Sequence, residues 1–223
     1  MMKKILSAIL FVSLTIAALC LSASAAVVPI ENDFLGENEF TITSFNNLTG
    51  QLNSEKKLQD LEDSLFWLVD QKDNLNSKYV SFLGPLATSA SDTYQSVVQK
   101  GGGTIEDLVE LNKNDEGWLA QFKGLRDAAK VLIDEGLPYG VSYGRGDNLG
   151  GMGLLRDSHQ SEYFAITDII PEGYDFDYAD DMNYYIIVEN NGIKYMIFQL
   201  EIWPRAETLD WVNLSLQENQ DKY

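Results

Sequence analysis

The chain has 223 residues, 34 of them Asp or Glu against 16 Lys or Arg, and a formal net charge of −18 at pH 7. Such a surface repels nucleic acid and anionic membranes and keeps a protein soluble. One histidine (His159) and one cysteine (Cys20) exclude a two-histidine centre and, once the leader that holds Cys20 is set aside, a thiol nucleophile, a cysteine zinc site and an internal disulfide.

Residues 1–25 read as a secretory signal. Lys3 and Lys4 begin it, an apolar run over 5–21 follows, and Ala23-Ser24-Ala25 supplies a small-residue cleavage site. The apolar run sits at the short limit for a spanning helix, about 17 residues. Leu19 stands before Cys20, where a lipid-attachment site has a small residue. The expectation is a cleaved leader, no stable membrane insertion, and a secreted or periplasmic single domain over 26–223. That domain is more acidic still, because the leader takes two lysines with it, and its stability must come from a hydrophobic core.

After a polar lead-in, residues 40–45 alternate with period two and predict a strand, which Asn46-Asn47 and Gly50 end. Ser54 can cap a helix whose stripe is Leu58, Leu61, Leu65, Leu68 and Val69, widened by Phe66 and Trp67. A turn over 74–77 leads to a buried strand over 79–83, stopped by Gly84-Pro85. Strand, helix and strand in this order predict a βαβ unit.

Residues 86–104 read as a Ser/Thr-rich surface loop. It closes in Gly101-Gly102-Gly103, but no lysine-hydroxyl pair follows as a phosphate-binding loop requires. A short helix is expected over 105–111. A stronger one over 116–135 carries Leu119, Phe122, Leu125, Ala129 and Leu132 at helical spacing and stops at Gly136. A strand over 138–143 runs into a glycine-rich loop over 144–153. The tail holds two β-rich runs, 184–189 and 193–200, around an Asn190-Asn191-Gly192 hairpin turn. Pro204 opens a last helix with Ala206, Leu209, Trp211, Val212 and Leu216. Trp67, Trp118, Trp203 and Trp211 sit in or beside the helices; three flank apolar stripes, so core packing is expected rather than a sugar-stacking platform. The fold class is α/β.

Three places offer chemistry. The loop over 144–153 follows a strand, where α/β chains place ligands; Arg145 can grip an anion, Asp147 can contribute to a cation site, and Asn148 lies beside them. Asp175, Asp177, Asp180 and Asp181 form an acidic run of the type calcium uses, but without the glycine and terminal glutamate of an EF-hand loop, so a solvated acidic turn is the simpler reading. His159, between Ser158 and Gln160, lies in a polar stretch; serine and aspartate next to it in sequence do not make a catalytic triad.

Taken in order, the segments resemble a secreted, bacterial-type calcineurin-like metallophosphoesterase. The likeness is carried by Phe66-Trp67-Leu68-Val69-Asp70 with Lys78 to Gly84, by Leu125 to Leu132 with Gly136 to Val141, and most specifically by Asn183-Tyr184-Tyr185, Gly192 to Glu201, and Pro204-Arg205 through Leu209-Asp210-Trp211. It covers most of residues 60–217. It implies a layered α/β/β/α sandwich, here incomplete and truncated on its C-terminal side, around two divalent metal ions that activate water against a phosphate ester.

The ligands that the resemblance implies are largely replaced. Pro85 stands at the aspartate of the Gly-Asp motif, and Arg145 and Gly146 at the asparagine and histidine of the next motif. Asp147 alone matches there, and Gln51 is the one match near the first motif. The resemblance therefore implies the scaffold without its hydrolytic activity, and no resident cofactor; an active form would need two divalent metal ions. The competing reading is a noncatalytic extracellular domain that binds an anion through Arg145 or calcium through the 175–181 run. No substrate or protein partner is implied.

Overall fold

Thr41, Thr43 and Phe45 alternate with Ile42, Ser44 and Asn46, and in the computed structural model this run is strand β1 (Thr41–Asn46), half-buried on one side and exposed on the other. The structure describes residues 39–48, 52, 54–84, 86, 116–142, 162–180, 182–201 and 204–222. The chain divides into a unit Met1–Glu31, which lies outside the described residues, and a unit Asn32–Tyr223. Helix α1 (Glu55–Asp70) follows, then strand β2 (Ser77–Leu83), parallel to β1 and paired with it. Helix α2 (Glu116–Asp134) and strand β3 (Tyr139–Ser142) extend the same sheet, in the order β1-β2-β3, all parallel. The expected βαβ unit is present.

Local chemistry explains the joints. Ser54 holds the cap position of α1 in extended conformation, but its carbonyl rather than its side chain serves the helix, accepting from Lys57 and Leu58 N–H. Gly136, at φ +71°, closes α2. Leu137 N–H reaches Leu132 O (2.8 Å) and Gly136 N–H reaches Ile133 O (2.9 Å), the paired bonds of a glycine C-terminal cap. Asn76, at φ +43°, closes the turn before β2 in the same way, with Ser77 N–H on Lys72 O.

Helices α1 and α2 cover one face of this sheet. Leu61, Leu65 and Leu68 of α1 and Phe122, Leu125, Ala129 and Leu132 of α2 meet Val80, Phe82, Tyr139 and Val141 in one core. Phe82 lies between Phe45, stacked at 5.5 Å, and Tyr139, edge-on at 5.5 Å. The helices approach closely at Gly124, where a Cβ would stand 3.2 Å from Leu58 Cδ2. The expected widening of the α1 stripe does not occur: Phe66 is 56% and Trp67 38% exposed. With Leu61, Leu65 and Leu68 turned to the core, the 100° step per residue carries positions 66 and 67 away from it.

The second sheet is antiparallel, in the order β4-β5-β6: β4 (Phe176–Asp180), β5 (Asn183–Asn190) and β6 (Ile193–Gln199). Asn191 (φ 51°) and Gly192 (φ 78°) form the two-residue hairpin turn with both central residues at positive φ. The acidic run read as a turn is instead largely strand β4, exposed over Phe176 to Ala179 and paired with β5. A four-residue helix α3 (Ile166–Ile169), not expected from the sequence, adds Ile166 and Ile169 to the core.

The inner face of the second sheet meets the first through Tyr184, which approaches Tyr79, and through Gln199, which approaches Ser81. Its outer face carries Tyr185 and Phe198, cross-strand partners against which Trp211 of helix α4 (Ala206–Asn219) packs at 6.0 and 5.8 Å. This helix buries Thr208, Ser215 and Asn219, while Leu209, Leu214 and Leu216 are about half exposed. The fold is mixed α/β, built on a parallel and an antiparallel three-stranded sheet. Among the described residues no helix is long and apolar enough to cross a membrane. Trp118 and Trp203 lie where no side chain is described.

Candidate functional site

Because β1, β2 and β3 are parallel, their carboxyl ends share one edge, the edge at which open α/β sheets bind ligands. The register sets Asn46 beside Leu83 and Leu83 beside Ser142. Asn47, at φ 56°, turns the chain there, its N–H on Leu83 O (3.0 Å), and Gly84 N–H bonds Ser142 O (2.7 Å). Leu48 and Leu86 fold back from this edge into the core.

The strand ends themselves offer little to a ligand. Asn46 Oδ1 accepts from Ser44 Oγ (3.0 Å), Leu83 is apolar and partly exposed, and Ser142 Oγ donates to Leu200 O (2.9 Å) while accepting from Gln199 Nε2. A two-metal centre needs carboxylates, imidazoles or free carbonyl oxygens converging on one point. Asn46, Leu83 and Ser142 do not fit it. Arg145, Asp147, Asn148, Gln51, Pro85 and His159 lie outside the described residues.

Behind this edge, between the sheets, lies a closed polar network. Tyr79 Oη donates to Gln199 Oε1 (3.2 Å), so the Tyr184 hydroxyl, 3.3 Å away, is the donor to Tyr79. Ser81 Oγ also donates to Gln199 Oε1 (3.2 Å), and Gln199 passes the direction on through its amide to Ser142. Burial raises the phenol pKa of both tyrosines, for Tyr184 well above its ordinary value, so each remains a neutral donor. Gly140 makes room for the network: a Cβ there would stand 2.0 Å from Tyr79 Oη and 2.5 Å from Tyr184 Oη. The network fixes the mutual placement of the sheets and presents no free group for catalysis.

The acidic run is distributed rather than gathered. Asp177 Oδ1 accepts from Tyr178 N–H (2.9 Å). Asp180 is occupied: Oδ1 accepts from Met182 N–H (2.9 Å) and Asn183 Nδ2 (2.8 Å), and Oδ2 pairs with Arg205 Nη2 (2.9 Å). Arg205 Nε in turn reaches the buried Glu201 carboxylate at 3.3 Å. Asp175 lies before β4, lining a cleft of about 280 Å³ with Lys78, Glu189 and Lys194. Asp181 lies outside the described residues. Among the described residues no three Asp, Glu, His or Cys side chains gather to hold a metal ion.

A second concavity, of about 380 Å³, opens between α2 and α3, with Tyr139 of β3 in its lining. Sequence reasoning missed it because its residues come from three elements. The only local signal was the alternation of charge at Arg126-Asp127 and Lys130 with Asp134 on α2. Comparison of the chain with protein-family models, with curated proteins and with solved structures finds no match.

Proposed function

We propose that this chain is a secreted metallophosphoesterase-like protein that keeps a layered α/β/β/α scaffold and has lost phosphate-ester hydrolysis. The succession of outer helices, parallel sheet, antiparallel sheet and outer helix supports the scaffold half of this reading. The observation that carries the functional half is the triad of strand ends, Asn46, Leu83 and Ser142, at the edge where a binuclear centre would sit.

The sequence beyond those ends points the same way. Pro85 has no side-chain ligand atom, Gly146 has no side chain at all, and Arg145 carries a positive charge at a position where the resemblance expects an asparagine ligand. Loss of ligands removes a site's affinity, since ligand number and geometry create it.

The test is hydrolysis by protein from residue 26 onward. Manganese, zinc and iron are each expected to give no release of nitrophenol from phosphate mono- or diesters above a metal-only control. Metal-dependent turnover that disappears in Asp147→Ala would overturn the proposal.

A further inference from the structure

Tyr139 is 2% exposed, yet its hydroxyl neither donates nor accepts a hydrogen bond with another described residue. Buried hydroxyls are seldom left so, because an unmet one costs about 1–3 kcal/mol. The ring packs edge-on against Phe82, and the residue lines the groove between α2 and α3. The groove's volume falls in the range of small-molecule sites, about 300–1,000 Å³.

The charges around it narrow the ligand. Lys130 is held by Asp134, and Arg126 gives Nε and Nη2 to Asp127 Oδ1 at 3.1 and 3.0 Å while lying over the Tyr163 ring. Both cations are thus compensated. Asp168 forms no ion pair with another described residue and accepts one long hydrogen bond, from Thr167 Oγ1 at 3.5 Å. An anion would face this uncompensated carboxylate. An ammonium group would satisfy Asp168 but has no acceptor for the Tyr139 O–H. A ligand carrying hydroxyls does both, since each hydroxyl accepts with its oxygen and donates with its proton.

We infer that the groove between α2 and α3 is a subsite for a neutral polyhydroxyl ligand, a saccharide or simple polyol, that accepts a hydrogen bond from Tyr139 and donates one to Asp168. Arg126 and Thr167 on the rim supply further donors and acceptors for neighbouring hydroxyls. The site lies on the helix-covered side of the parallel sheet and is independent of the proposed loss of phosphoesterase activity.

Amide chemical-shift titration of the purified protein with glucose, galactose, N-acetylglucosamine and glycerol tests this, with inorganic phosphate and methylammonium as controls. The expected result is saturable shifts on α2 and α3 for at least one sugar or for glycerol; the sugar and glycerol arms distinguish a saccharide from a simple polyol. Affinity should fall at least about tenfold in Asp168→Asn, the size of one charge-assisted hydrogen bond, and about three- to tenfold in Tyr139→Phe, the size of a neutral one. Asp168 is exposed, so its variant carries the test even where Tyr139→Phe disturbs packing. Absence of saturable shifts with all four probes, affinity unchanged in Asp168→Asn, or tighter binding of phosphate or methylammonium would each overturn the inference.

Discussion

Gly140 lies directly beneath the Tyr79 hydroxyl: a methyl group on it would stand 2.0 Å from that oxygen. The requirement is steric, since Gly140 does not sit at positive φ. Two sheets meet here through tyrosine and glutamine side chains rather than through aliphatic ones. The missing side chain of one strand is the space that the hydroxyls of two others occupy.

Gly140→Ala should therefore be among the most damaging single changes in the protein. The new Cβ meets Tyr79, Tyr184 and Gln199 at once, so no single rotamer change relieves it. Overpacking of this kind costs about 1–3 kcal/mol or more, and chemical denaturation should place the loss at or above the top of that range. A variant as stable as the parent would mean that the sheets do not meet as described.

The direction of the inter-sheet network predicts unequal costs for its members. Gln199→Leu removes the acceptor of Tyr79 and Ser81 and the donor to Ser142. Each orphaned group costs about 1–3 kcal/mol, so a loss of at least about 3 kcal/mol is expected. Tyr184→Phe takes away the donor to Tyr79 and the oxygen that accepts from Val141 N–H, and leaves Tyr79 bonded to Gln199; about 2 kcal/mol is expected. Urea denaturation of the two variants compares them, and equal losses would contradict a chain of donors running from Tyr184 through Tyr79 to Gln199.

Burial raises the pKa of Tyr79, Tyr139 and Tyr184 above the ordinary value of 10.0. Above pH 10 the unfolded chain releases these protons while the folded chain keeps them. The native state then binds more protons, and stability falls as pH rises, by about 1.4 kcal/mol per pH unit for each tyrosine. Below about pH 9 both states are protonated and the tyrosines add no slope. Denaturation midpoints followed alongside tyrosinate absorbance should show ionisation arriving with unfolding. Reversible ionisation of all tyrosines near pH 10 in folded protein would sink the prediction.

Periodicity made much of this architecture legible. The alternation at 40–45, the leucine spacing of α1 and α2, and the Asn191-Gly192 turn each specify an element locally. Strand β4 was not legible, because an exposed strand rich in aspartate looks like a turn until its pairing with β5 supplies the reason for it. The burial of Thr208, Ser215 and Asn219 in place of leucines was equally hidden. For Thr208 the reason is a hydrogen bond to Glu201, a residue outside the helix. At the site, the level alignment of Asn46, Leu83 and Ser142 depends on register, and the meeting of Tyr139 with Asp168 and Arg126 depends on packing. Neither relationship is written in a local motif, while Arg145, Asp147 and Asn148, which are, lie outside the described residues.

Arg205 bridges two carboxylates with different surroundings, and the difference is measurable. Asp180 is partly exposed, so its pair with Arg205 at 2.9 Å is screened and worth less than about 1 kcal/mol. Glu201 has a side chain only 2% exposed and also accepts from Thr208 (3.3 Å) and Asn183 (3.4 Å). Arg205→Ala leaves that carboxylate buried without this cation. The cost should be about 2 kcal/mol, below the range for fully buried pairs because Arg205 itself is half exposed. Molar salt should erase the effect of Asp180→Asn on the ion pair and leave most of that of Arg205→Ala. Glu201→Gln in the Arg205→Ala background should recover stability, because the amide needs no counter-charge. Failure of that rescue, with Arg205→Ala still costly, would sink the idea that Glu201 needs Arg205 as its counter-charge.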